Sequence, residues 1–435
     1  MSMKNYAVLA QDHVKVDSLE KVMGTAKFAA DYKMPDMLYG GVFRSTVPHA
    51  YVKKLNMEKA RALPGVACVL DHTAIPGKNR FGIIFKDEPC LVDDKIRRYG
   101  DAIAVVAAET PELVHEALGL IEVEYEELEA ISTFERAMEE DSPKVHGNTN
   151  VNVTKHLEYG NVDEAWEKCD VIVENTYSTH ILSHMFIEPD AGIAYLDEQG
   201  IMNVIVSTQN PHYDRNEVAA MLGVPQNRVR VKQAVTGGGF GGKLDISVQL
   251  HCALMALYTK RPVKMVRSRS ESTMVSSKRH PVTMKCKTGA TKDGKLVAVD
   301  CYMTCDAGAY SSYAPAVIGR APVHIVGPYE CPNVRCHAVF AYTNNPMCGA
   351  FRGFGVPQAA VCHEGQMNAL AKALNMSPLE IRMINAHHVG SVIPTGQELT
   401  ESVGFLDTLT QARDKAAEVM PEALDRLMKT EEGGL

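Results

Sequence analysis

Thr236-Gly-Gly-Gly-Phe240-Gly-Gly-Lys243 is the segment on which the fold of this 435-residue chain turns. Five of its eight residues are glycine, set around a lone Phe240. Residues 229–235 before it have the β-branched composition of a strand, and a helix is predicted from Asp245 to Tyr258 after it. Glycine costs roughly 0.5–1 kcal/mol relative to alanine in ordered structure, so five together need a reason. Backbone N–H groups approaching a ligand oxyanion without side-chain interference supply one. Two nucleotide-binding patterns fit on paper. Gly237, Gly239 and Gly242 match G-x-G-x-x-G, and Gly242-Lys243 matches the end of a phosphate-binding loop. The first lacks its acidic residue, because the next strand (263–266) runs into Arg267-Ser-Arg269. The second lacks the Ser or Thr that holds magnesium, where Leu244 stands.

Outward from the loop, strand and helix patterns alternate. Residues 201–207 read as a strand, residues 211–222 as a helix stopped by Gly223, and residues 263–266 as a strand. Ser377-Pro-Leu-Glu380 opens a further helix that ends near His387-His388, where a cation suits the helix dipole. Nearer the N-terminus, residues 103–108, 110 onward and 121–126 predict a β-α-β unit whose acidic residues form a solvated face. The polar run Glu139 to Asn150 reads as a linker. Three regions result: a first block over 1–135, a linker over 136–156, and a second block over 157–435 with a charged, helix-prone tail.

Net charge is −8, which argues against a nucleic-acid binder. No apolar run approaches the roughly 18 residues of a membrane helix, and Met1 to Tyr6 is followed by no apolar signal region, so a cytoplasmic protein is expected. The eleven cysteines contain no C-x-x-C pair, and Cys331-x4-Cys336 is followed by Val339 where a plant-type iron–sulfur motif has cysteine. Reduced, buried thiols are expected. His180-x-x-x-His184 has zinc-ligand spacing but lacks the glutamate of a zinc protease and reads as structural.

Three segments in order, Ser207-Thr-Gln-Asn210, Thr236 to Lys243 and Ala350-Phe-Arg-Gly-Phe-Gly-Val-Pro-Gln358, resemble the xanthine dehydrogenase and aldehyde oxidase family. Residues 16–31, Met37-Leu-Tyr39 and Arg44-Ser45 resemble that family's first domain, so the likeness covers nearly the whole chain. The resemblance implies an α+β fold, an α/β-hammerhead domain followed by the first half of a molybdopterin-binding domain. Most members carry the whole unit on one chain about twice as long. The family's second half, with its glutamate base, is therefore expected on a smaller molybdopterin subunit.

The resemblance further implies molybdenum held by a pterin dithiolene (cytosine dinucleotide form, with a sulfido or selenido ligand), and [2Fe–2S] and FAD subunits leading to NADP. The implied reaction is hydroxylation of a small nitrogen heteroaromatic of the nicotinate type, with water as oxygen source. It places Gln209, Phe240 and Arg352 beside the metal, and Gly238, Gly239, Gly241 and Gly353 against the cofactor. Arg320 would orient substrate and support catalysis, and Phe354 would pack on the ring. Leu244 stands where purine-oxidising members have a glutamate, and Gly353 where carbon monoxide dehydrogenases have a copper-bound cysteine. Purine or aldehyde oxidation is the alternative within the family. A non-catalytic scaffold and a phosphate-loop nucleotidase are the alternatives outside it.

Overall fold

The computed structural model describes residues 12–422 and residue 424. The start of the chain, on which the signal-region expectation fell, lies outside them, as do residue 423 and residues 425–435.

Seven largely apolar runs join in one mixed sheet. Their order is Val229–Gln233, Met202–Val206, Ala191–Leu196, Val263–Val266, Leu38–Arg44, Ala102–Ala108 and Val66–Leu70. The first four strands come from the second block of sequence and the last three from the first. They meet where Leu38–Arg44 runs parallel to Val263–Val266, with Leu38 opposite Val263. Leu38, Val105, Met202, Leu254 and Met265 consequently share one core.

Ala102–Ala108 is flanked by Leu38–Arg44 on one side and Val66–Leu70 on the other. No edge remains there for Glu122–Glu127, which pairs with Ala50–Asn56 in a separate three-stranded sheet. The expected β-α-β unit is thus corrected. Strand, helix and strand are present, with Thr110 capping the Leu113 N–H at 3.2 Å, but they connect two sheets. The acidic face is solvated as expected, with Glu124 meeting Lys54 across the strands and Glu122 meeting Lys59 of the short helix Glu58–Arg61. Such exposed pairs contribute about 0–1 kcal/mol each.

Residues 136–156 are held against the body. Helix Phe134–Met138 enters this stretch and strand Val151–Tyr159 begins inside it. The buried Asn150 replaces regular structure between them. Its Oδ1 accepts from the Val145 N–H at 2.9 Å, and its Nδ2 donates to Ala137 O and Pro143 O at 3.1 and 2.8 Å.

A second sheet follows, ordered Val171–Ser178, Val282–Ala290, Leu296–Gly308, Val334–Tyr342 and Val151–Tyr159, with helix Val356–Leu374 packed on one face. All eleven cysteines are free, and apart from Cys68 and Cys169 they are buried. Cys286, Cys301 and Cys362 converge between sheet and helix with sulfurs within 4.8 Å of one another. The sequence could not show this, because a strand register (Cys286 opposite Cys301) and a helix face bring them together. They fill the core as small apolar residues.

Gly223 ends helix Pro211–Leu222 with φ 66°, as expected. His387 departs from expectation. It is buried beyond the helix end, and burial lowers its pKa, so it is no dipole-facing cation. No helix among the described residues is long and apolar enough to cross a membrane.

Candidate functional site

Met202–Val206 and Val229–Gln233 are parallel neighbours joined through helix Pro211–Leu222. Gln209 follows the C-terminal end of the first and the glycine loop that of the second. Ligands bind at this edge of parallel strands, because the backbone turns there and leaves N–H groups exposed.

Gln209 lies across the loop. Its Oε1 accepts from the N–H groups of Gly241 at 3.0 Å and Lys243 at 3.3 Å, and its own N–H donates to Lys243 O at 2.8 Å. Two donors on Oε1 settle the amide's orientation and leave Nε2 without a partner among the described residues. A Cβ on Gly239 would lie 2.4 Å from Gln209 Oε1, so glycine is required for this contact. The N–H groups of Gly238, Gly239 and Phe240 have no acceptor among the described residues. Phe240 itself has φ 52° and is exposed.

The third segment docks on the second. Arg352 N–H donates to Phe240 O at 2.9 Å, and a Cβ on Gly241 would meet Ala350 O at 2.7 Å. Gly353 follows with φ 96° and stays exposed. Gln209, Phe240 and Arg352, 143 residues apart at the extremes, therefore form one constellation.

Arg320, at the end of helix Ala314–Arg320, stands over the Phe354 ring at 5.8 Å. Tyr313 meets the same ring edge-on at 5.6 Å and 77°, and its hydroxyl accepts from Asn210 Nδ2 at 3.3 Å. Through Asn210 this aromatic group is tied to the Gln209 turn. Sequence reasoning misses Tyr313, because a tyrosine before a helix carries no signal, and assigns Asn210 no role of its own. Leu244 is half-buried, and its N–H returns to Gly241 O at 3.1 Å, which ties it to the loop rather than to the Arg320–Phe354 pair.

Lys243 excludes the nucleotide readings. Its ammonium is fully buried and donates to Glu188 Oε2 at 2.8 Å, Glu188 O at 3.0 Å and Ser207 Oγ at 2.9 Å. Glu188 Oε2 also accepts from Gly237 N–H at 2.7 Å and from Ser207 Oγ at 2.7 Å. No charge is left for a phosphate. The following helix begins only at Gln249, so no helix N-terminus faces the loop either.

His184 supports the loops from below, in keeping with its structural reading. It is stacked on Phe351 at 4.1 Å, and its Nε2 donates to Ala350 O at 2.7 Å. Burial lowers its pKa to about 4 from 6.5. At pH 5 the unfolded residue binds a proton that the folded one refuses, so acid favours unfolding between pH 6.5 and 4. Relative to His184→Gln, the wild-type chain is expected to lose up to roughly 1.4 kcal/mol of stability per pH unit across that window, and nothing above it. Denaturant midpoints of the two proteins against pH test this, and parallel curves would refute it.

Comparison with known proteins supplies an independent reading. Residues 145–386 match the family model described as a molybdopterin cofactor-binding domain. Residues 23–129 match that of the aldehyde oxidase and xanthine dehydrogenase a/b hammerhead domain. The chain is 70% identical to the nicotinate dehydrogenase large molybdopterin subunit of Eubacterium barkeri, over 96% of this chain and 98% of that one. It is 37% identical to a subunit of a probable xanthine dehydrogenase from Bacillus subtilis, over 91% of this chain and 53% of that one. Among solved structures, the aldehyde oxidoreductase from Desulfovibrio gigas superposes with a TM-score of 0.90 at 31% identity, over 94% of this chain and 47% of that one. The chain thus spans nearly all of one relative and about half the length of the other two.

Proposed function

Because this chain belongs to the aldehyde oxidase and xanthine dehydrogenase family of molybdopterin-binding proteins, we propose that it is the larger of two molybdopterin subunits in an oxidoreductase that hydroxylates a nitrogen heteroaromatic of the nicotinate type. One observation carries the reading. Among the described residues, three successive amides, Gly238 to Phe240, and the nearby Nε2 of Gln209 have no partner, and the Arg352 loop is docked against them. Among the described residues no histidine, cysteine or carboxylate ligand set stands at this edge. A metal here must therefore bring its own organic ligand, and amide donors suit the oxygen atoms of a pterin-bound molybdenum.

When bound, that molybdenum, in a pterin cytosine dinucleotide with a sulfido or selenido ligand, supplies Lewis acidity and accepts the electrons of the oxidised ring. This chain's residues hold and orient. Gln209 Nε2 and the amides of Gly238, Gly239 and Phe240 donate to the cofactor, and Gly241 and Gly353 let the two loops close on it. The Arg352 loop, fixed by its N–H to Phe240 O, borders the same group. Phe354, braced edge-on by Tyr313, offers a ring surface for offset stacking of a planar substrate. Arg320, above that ring, pairs with a substrate carboxylate or with charge developing on the heterocycle.

The general base comes from the smaller molybdopterin subunit. Oxygen comes from water, and electrons leave through [2Fe–2S] and FAD subunits to NADP in the cytoplasm.

Arg320→Ala in the assembled complex is expected to lower kcat/KM on nicotinate about 10²-fold, as loss of a preorganised charge partner does, with molybdenum per chain unchanged. Unchanged kinetics would remove Arg320 from the mechanism. Oxidation of purines or aldehydes in place of nicotinate would overturn the substrate class.

A further inference from the structure

Residues 180–188, His-Ile-Leu-Ser-His-Met-Phe-Ile-Glu, run beneath both loops of the site. The inward side chains support the loops: His184 holds Ala350 O, Phe186 lies under Gly238, and Glu188 holds Lys243 and Gly237. The outward ones are large and apolar. Leu182, Met185 and Ile187 are 52%, 60% and 90% exposed, and Ile181 adds 42%. Phe240, 47% exposed, extends the strip into the mouth of the site. A single exposed isoleucine needs no explanation, but four such residues within seven positions beside a ligand edge mark an interaction surface. Met185 is even held at φ 49°, an unfavourable conformation for a side-chain-bearing residue.

Basic groups border this strip. Arg269 Nη2 donates to Ile187 O at 2.6 Å, Arg279 is paired with Leu182 across a short two-stranded ladder, and Arg279 Nη2 donates to Arg352 O at 3.1 Å. The acidic groups nearby are engaged: Glu188 by Lys243, and Glu271 by Arg44 at 2.7 Å.

We propose that the 181–187 strip, with Phe240 at its end, is the docking surface for the polypeptide that carries the remaining half of the molybdopterin-binding unit. This rests on the functional reading above. The chain spans 53% and 47% of two relatives, and on the functional reading above another polypeptide supplies the rest of the molybdopterin-binding unit. The site's open edge is where that half must arrive, and the uncovered apolar strip is continuous with that edge. The occupant presents apolar side chains to Leu182, Met185 and Ile187 and an acidic rim to Arg269 and Arg279.

The test uses the complex purified from its native host through a tag on this chain. Leu182→Glu combined with Ile187→Glu is expected to reduce the recovered partner at least ten-fold, with the circular dichroism of the tagged chain unchanged. Ile172→Glu, at a 42% exposed position on the five-stranded sheet, is expected to leave recovery intact. A photo-crosslinking residue at position 187 of the otherwise unaltered complex provides a reading that does not depend on the double variant folding. It is expected to give an adduct with the chain whose sequence matches the missing half, and position 172 none. Adducts from 172 alone, adducts between two copies of this chain, or full recovery of the partner with the double variant would each overturn the proposal. Molybdenum analysis separates the two readings. A partner-bound complex without molybdenum sinks the functional reading and leaves the surface standing, whereas a molybdenum-loaded complex whose partner survives both substitutions sinks the surface alone.

Discussion

Gly241→Ala is expected to strip the assembled complex of molybdenum and reduce its turnover by at least about 10²-fold, the usual cost of displacing a reacting group by about 1 Å. Two effects act at this one atom. The residue has φ 102°, a conformation that L side chains rarely adopt, and its added Cβ would lie 2.7 Å from Ala350 O and 2.9 Å from the Ala350 carbonyl carbon. Neither neighbour is the end of a flexible side chain. The 350–355 loop must back away, and the Arg352 N–H to Phe240 O bond opens with it. Gly119→Ala, with nothing within 4 Å of the new methyl and no positive φ, is the matched control and is expected to be neutral. Metal-to-protein ratio and kcat on the two variants decide the matter. Full molybdenum with turnover within three-fold of wild type in Gly241→Ala would show that the loops do not need this contact.

Lys243→Met is expected to cost stability rather than chemistry, by about 3–5 kcal/mol, the range for removing one partner of a buried ion pair. The ammonium is wholly inaccessible and Glu188 is about one-tenth exposed, so water does not compensate. Methionine fills the volume but leaves the Glu188 carboxylate with only Ser207 Oγ and the Gly237 N–H. Adding Glu188→Gln removes the stranded charge and should recover a substantial part of the loss. Denaturant midpoints of the single and double variants measure this, and additive losses would show that the two residues do not act as a pair.

The same two residues show how far the sequence can be read. Five glycines around Phe240 announce a ligand loop because glycine is costly anywhere else, and local pattern places the flanking strand and helix, though the helix starts at Gln249 and not at the expected Asp245. The fate of Lys243 is hidden. Its partner Glu188 lies 55 residues earlier in an apolar run, and only the fold makes a phosphate-loop lysine into a buried strut. The tie between Tyr313 and Asn210 is hidden for the same reason, since a hydrogen bond across 103 residues leaves no local trace. Glu122–Glu127 is recognisable as a strand yet falls to the wrong neighbour, because periodicity reports which face is wet and not which edge is vacant. The Gln209, Phe240 and Arg352 segments are the exception, legible through likeness to a family and then brought together by the structure.

The parallel seam between Leu38 and Val263 has a practical consequence for protein engineering. A hammerhead region that borrows its neighbour's strand is not a removable cassette. Grafting it from a relative, or producing residues 1–135 alone, would bare the hydrogen-bonding edge of Leu38–Arg44, and naked sheet edges recruit other chains into aggregates. Chimaeras of this protein should therefore exchange the seam's two strands together, even though they lie 225 positions apart in the gene product (263 less 38).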